Sequence, residues 1–142
     1  MYNSIHEFFG NQKNGSIEHD ESGLHEPKIT TEMEYVDAAV KYALSVGWVR
    51  ETQRNLLIEK YLRPIYRKCL EIMEEIKKEH PEPEEWADVV RWLNAALEAT
   101  WRIGSTDPQN ILRGLYTDYK RARNFLTSYA MLALYEFIRD LF

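Results

Sequence analysis

From Thr31 onward the apolar residues of this chain recur every three or four positions, and nowhere do they alternate with period two over a useful length. That spacing lines up side chains along one stripe of an α-helix and leaves no strand with a single buried face, so it predicts an all-α fold. Met33, Val36, Val40, Ala43 and Leu44 form the first stripe. Ile58, Tyr61, Leu62, Ile65, Cys69, Ile72 and Ile76 form the second, and Val89, Trp92, Leu93, Ala96 and Ala99 or Thr100 the third. A fourth runs through Ile111, Leu112, Leu115, Tyr119, Ala122, Leu126, Ala130, Ala133 and Phe137. It predicts one very long final helix, with Gly114 and the Arg123-Asn124 region as candidate breaks.

The boundaries of these stripes carry their own signals. Thr31 and Glu34 have the spacing of a capping box, and Gly47 is the residue type that turns left-handed at a helix end. Pro64 lacks an amide donor and crowds the carbonyl four residues back, so the Trp48–His80 segment should kink or split near Lys60 to Pro64. Pro81 and Pro83 stop it. Glu84, Glu85 and Asp88 then suit the positive end of the third helix. Gly104 is expected to end that helix, with Asp107 capping the next and Pro108 at its first position. The expected architecture is a single-domain helical bundle of four or five helices over 31–142, preceded by a flexible N-terminal segment over 1–30. Within that segment 10–30 are rich in Gly, Asn, Ser and acid, while Ile5, Phe8 and Phe9 make a short apolar turn suited to docking on its own domain or a neighbour.

A chain of 142 residues buries roughly two-thirds of the surface that its unfolded form exposes, so it needs no disulfide or structural metal. The lone Cys69 rules out an internal disulfide and sits on an apolar stripe, which predicts an inert thiol. No stretch approaches the roughly 20 apolar residues of a membrane span. The first residues lack the basic start and apolar run of a signal peptide, so the expected location is cytoplasmic and no membrane is expected as a partner. Catalytic residues, cofactors and metal ligands are all expected to be absent. Of His6, His19, His25 and His80, two share the acidic loop with Asp20, Glu21 and Glu26, a segment without the fixed geometry of a metal site. Glu71, Glu74, Glu75 and Glu98 do not form the inward carboxylate and histidine sets of a di-iron bundle. No serine elbow, phosphate loop or dinucleotide fingerprint is present.

Charge is more informative. The net charge is −5, from 18 basic and 23 acidic residues, which argues against a surface that coats nucleic acid indiscriminately. The distribution is in blocks: 50–68 carry 6 basic and 2 acidic residues, 69–99 carry 3 and 9, and 100–123 carry 5 and 2. On a helical wheel Lys60, Arg63 and Arg67 fall within about 60° of one another, opposite the apolar stripe. Arg50 and Arg54 form a second pair beside Gln53 and Asn55. Further on, Arg113, Thr117, Lys120 and Asn124 share a side, flanked by Arg121 and Arg123. Such groups on rigid helices can bind successive phosphates without reading sequence, and Tyr116 can stack on a single strand. The competing reading is a solvated surface with helical ion pairs such as Arg67 with Glu71. The stretch 125–142 is apolar almost all round, as suits a central helix or one half buried in a partner. Trp48, Trp86, Trp92 and Trp101 read as packing residues, with an interface role for Trp48 or Trp86 as the alternative.

Arg102-Ile103-Gly104, then Thr106-Asp107-Pro108, Ile111, Leu115 and Arg121, form a run that resembles the small subunit of a CRISPR effector complex, most nearly the archaeal type I-A one. The resemblance implies a non-catalytic subunit that packs in several copies beside a guide-bound backbone, with other subunits of the complex as partners. It also implies contact with guide RNA or target DNA through phosphates, help in holding the target or displaced strand, and assistance in assembly or nuclease recruitment. The residues expected to make those contacts, from charge placement, are Arg50, Arg54, Lys60, Arg63, Arg67, Arg113, Lys120, Arg121 and Arg123. The rival expectation is a helical adaptor or oligomerising protein that acts only through protein contacts, using the acidic block 69–99 and the apolar tail 125–142.

Overall fold

The computed structural model describes residues 26–101 and 108–142. Expectations that fall elsewhere, among them the apolar turn of Ile5, Phe8 and Phe9, the Gly104 helix end and the Asp107 cap, lie outside the described residues. Among the described residues there are five helices and no strand, an all-α bundle. They are α1 (Glu32–Ser45), α2 (51–79), α3 (Pro83–Thr100), α4 (Pro108–Arg121) and α5 (Phe125–Leu141).

The Thr31 hydroxyl accepts the Glu34 amide at 3.2 Å and donates to the Glu34 carboxylate at 2.8 Å. The cap forms as expected, but the carboxylate closes on the hydroxyl. At the other end Gly47 has φ 78, and the amides of Gly47 and Trp48 reach the Leu44 and Ala43 carbonyls at 3.2 and 2.9 Å. These paired bonds satisfy carbonyls that the helix end would otherwise leave open. The expected stripe of α1 is corrected by about a quarter turn. Met33 is 74% exposed, and the buried side is Tyr35, Ala39, Val40 and Ala43. The cause is a polar partner inside the bundle: Thr100 donates to the Leu97 carbonyl at 2.7 Å, so the Tyr35 hydroxyl donates to Thr100 Oγ1 at 2.8 Å. With its hydroxyl satisfied, the Tyr35 ring can take a core position that periodicity assigned to purely apolar residues.

α2 stays helical through Pro64 and changes its winding instead. A 3-10 turn (Glu51–Gln53) and a short α turn (Arg54–Leu57) lead into a π turn (Ile58–Leu62), after which α winding resumes over Arg63–Glu79. The Arg63 amide bonds to the Ile58 carbonyl, five residues back. This widened turn lies immediately before Pro64, whose ring would crowd the Lys60 carbonyl in a regular ladder.

The single long final helix is also corrected: it divides at the Arg123-Asn124 region, one of the two candidate breaks, while helix continues through Gly114. The chain leaves helical geometry at Ala122–Asn124, and α5 folds back along α4 as a helical hairpin. Asn124 starts α5 by accepting the amides of Leu126 and Thr127 at 2.8 and 3.3 Å. Asn124→Ala therefore removes a cap and should lower the unfolding free energy by about 1 kcal/mol, read as an earlier denaturant midpoint with an unchanged m-value. An unchanged midpoint would mean that packing alone sets the hairpin.

α5 is the central helix, packing against α2, α3 and α4. Ala130, Leu134 and Ile138 are fully enclosed and belong to the same core as Ile65, Cys69, Val89, Leu93 and Leu97. Trp86 is 1% exposed, with Lys77 Nζ 4.5 Å from its ring centroid, so the interface alternative for this residue is overturned. Trp48 is half-buried against the core. Tyr66 stacks on Tyr35 and donates to the Thr30 carbonyl at 2.7 Å. Asn94 accepts from the Thr30 amide at 2.9 Å and donates to the Lys28 carbonyl at 3.1 Å, which fastens the chain entering α1 across α3.

Candidate nucleic-acid interface

The nine basic residues picked out from the sequence divide between two helices that both pack on α5. Arg50, Arg54, Lys60, Arg63 and Arg67 belong to α2 and its entry. Arg113, Lys120 and Arg121 lie on α4, and Arg123 in the turn after it.

Two of the five cations of the α2 group, Arg54 and Arg63, are already spent on carboxylates, while Arg50 is exposed at the entry to the helix. Arg54 pairs with Glu51 at 2.7 Å, and it also rims an open groove of about 350 Å³ lined by Val36, Val40, Leu44 and Ile58. Arg63 does not face freely outward with Lys60 and Arg67 as the regular wheel requires. It lies at the α1–α2 seam, 2.5 Å from Glu59 and 3.5 Å from Glu32. The reason is the π turn, which turns each residue through a smaller angle than an α turn does and so shifts the register of everything beyond it. Lys60 and Arg67 remain exposed. Glu71 pairs with Lys68 at 3.5 Å, taking the place expected for Arg67.

The α4 group is different in kind. Ile111, Leu112 and Leu115 bury one side of the helix, and Arg113, Lys120 and Arg121 are exposed on the other. None of the three, nor Arg123, pairs with a carboxylate among the described residues. Arg113 donates to the Asn110 side chain, and Thr117 returns its hydroxyl to the Arg113 carbonyl at 2.8 Å. The acid on this helix, Asp118, is turned toward α3 and accepts the Trp92 indole N–H at 3.1 Å. Asn124, expected beside Lys120 as a contact, is engaged in capping α5.

Aromatic rings join these cations. Tyr116, 42% exposed, packs on Tyr119 at 6.0 Å and on Tyr135 of α5 at 5.5 Å between centroids. Lys120 Nζ lies 5.3 Å from the Tyr116 ring centroid, and the Arg139 guanidinium 5.8 Å from that of Tyr135. Just past the turn, Phe125 is 82% exposed. Phe125, Tyr135 and Arg139 were not picked out from the sequence. A wheel restarted at Asn124 finds the first, because it sets Phe125 opposite Ala130, Leu134 and Ile138.

Other chemistry is sparse. Among the described residues no group of three or more His, Cys, Asp or Glu is placed to hold a metal ion, and no helix is long and apolar enough to cross a membrane. Glu98 is a carboxylate at 1% exposure, which its helix-face spacing did not foretell. Cys69 is fully enclosed, and burial pushes its thiol up to about 12. Burial likewise raises Tyr35 and Tyr66. Each of these groups is held neutral by the fold, so the stability it lends is complete below its unfolded pKa and is lost as the pH climbs through the folded one. From about pH 8.5 to 10, stability should fall by up to about 1.4 kcal/mol per pH unit through Cys69, with the tyrosines adding above about pH 10. Urea midpoints measured over this range should decline for the wild type and stay flatter for Cys69→Ala; parallel declines would place the thiol outside the coupled set.

Comparison with known proteins yields no match, whether to a protein-family model, a curated protein or a solved structure.

Proposed function

We propose that this chain is a non-catalytic helical subunit that holds a nucleic-acid strand by its phosphates, acting in the cytoplasm within an RNA-guided effector complex of the CRISPR type. The observation that carries the nucleic-acid reading is the outer face of α4. Arg113, Lys120 and Arg121, continued by Arg123, are cations on a rigid support with no carboxylate partner among the described residues. Charges left unneutralised in this way attract an anionic strand and release its counterions on contact. The bipolar charge of the chain supports a second feature of the reading, in which the acidic block 69–99 faces basic partners or solvent while α4 faces the strand. Membership of a CRISPR complex rests on the resemblance over 102–121.

The test is binding of the full chain to single-stranded DNA and RNA across a salt series, by fluorescence anisotropy. Phosphate contact predicts an affinity that falls linearly with salt on logarithmic axes, by about one unit of slope per contact. No binding at low salt, together with salt-insensitive association between protein chains, would replace this reading with that of the helical adaptor.

A further inference from the structure

Building on that reading, we infer that the α4–α5 hairpin is a base-stacking platform: Tyr116 and Phe125 take unpaired bases of a single strand whose phosphates lie on Arg113, Lys120, Arg121 and Arg123. Phosphate contact alone explains the cations. It does not explain why the apolar residue with the greatest exposure among the described ones, Phe125 at 82%, stands two residues from Arg123 and four from Arg121. Exposed aromatics of a helical bundle ordinarily belong at its seams, where their area is removed from water.

The rings of the hairpin are arranged in series. Arg139, Tyr135, Tyr116 and Lys120 succeed one another as cation, ring, ring, cation, at separations of 5.8, 5.5 and 5.3 Å. Tyr135 and Tyr119 pack on Tyr116, which restricts its ring before a ligand arrives, so a base that stacks on it pays less in lost rotamer freedom. Along α4, Arg113 and Lys120 are about 10 Å apart at 1.5 Å per residue, with Tyr116 between them. Cations on either side of an exposed ring suit a strand that lays its phosphates on the former and turns a base onto the latter. In a duplex the bases stack on each other, so a platform of this kind selects single strands and tolerates any base, every base having a flat face.

The experiment compares three ligands with the full chain: a single-stranded oligonucleotide, an abasic deoxyribose-phosphate strand of the same length, and a duplex. Stacking predicts that the wild type prefers the base-bearing strand over the abasic one by about tenfold or more. Phe125→Ala and Tyr116→Ala should each bring that ratio toward one without flattening the salt slope, while Phe125→Trp keeps it. Phe125 is almost wholly in solvent, so its removal leaves the fold intact, which circular dichroism checks. Equal affinity of the wild type for base-bearing and abasic strands overturns the platform and leaves phosphate holding in place. Absence of wild-type binding to all three ligands overturns both the platform and the phosphate reading.

Discussion

Leu134→Ala should be the most damaging single truncation in the bundle, lowering the unfolding free energy by about 3 kcal/mol or more. Leu134 is completely enclosed at the middle of α5, with Ala130 and Ile138 enclosed one turn to either side. Three helices converge on α5, so no neighbour can collapse into the space without leaving its own contacts. The cost is the lost transfer of the side chain plus the cavity that remains. Against a total stability of about 5–15 kcal/mol this is a large fraction, and it should bring the melting temperature down by about 10 °C. Leu132, half-exposed on the same helix, is the control: its truncation should cost under about 1 kcal/mol. Equal effects at the two positions would remove α5 from the centre of the fold.

The largest functional effect should come from Lys120→Glu combined with Arg121→Glu. At low salt this double reversal should weaken single-strand binding by about tenfold or more and reduce the salt slope by about two, to a similar extent for different base sequences. Thermal unfolding should barely move, because both side chains project from the polar side of α4. The corresponding reversal of Arg54 and Arg63 should affect binding far less, since these cations are already neutralised by Glu51, Glu59 and Glu32. If the two double variants lose binding equally, the distinction between spent and free cations fails. If neither loses any, the basic residues are solvated surface.

The contrast between these two pairs also marks how far the site was legible. Counting charges along the chain gives α2 and α4 the same standing, because both segments carry an excess of Lys and Arg. What separates them is the position of carboxylates on other turns and other helices. Glu32 reaches Arg63 from α1, and Asp118 leaves the face of α4 for Trp92 of α3. Neither fact is local. The cations Arg113, Lys120 and Arg121 were readable from spacing alone, whereas Tyr135 and Arg139 join them only because the hairpin folds α5 back over α4.

What the sequence determined by itself is everything that depends on neighbours within about four residues. The helical class, the Thr31 cap and the left-handed Gly47 follow from side chains acting on their own backbone and are found in the fold, while the kink or split expected near Pro64 is replaced by a π turn at the same place. Tertiary structure decided the rest. The apolar stripe runs from Ile111 to Phe137, so periodicity alone joins α4 and α5; they part at the candidate break Arg123-Asn124 through the local Asn124 cap, and burial against three helices sets how α5 folds back. Tyr35 displaced Met33 from the core because Thr100, 65 residues away, accepts its hydroxyl. Periodicity reports how much apolar surface a helix must hide, while the direction in which it turns that surface depends on partners that other helices bring. For that reason the core side of α1, the choice of a central over a partner-facing place for α5, and the lack of carboxylate partners for the α4 cations among the described residues emerge only when the five helices are assembled.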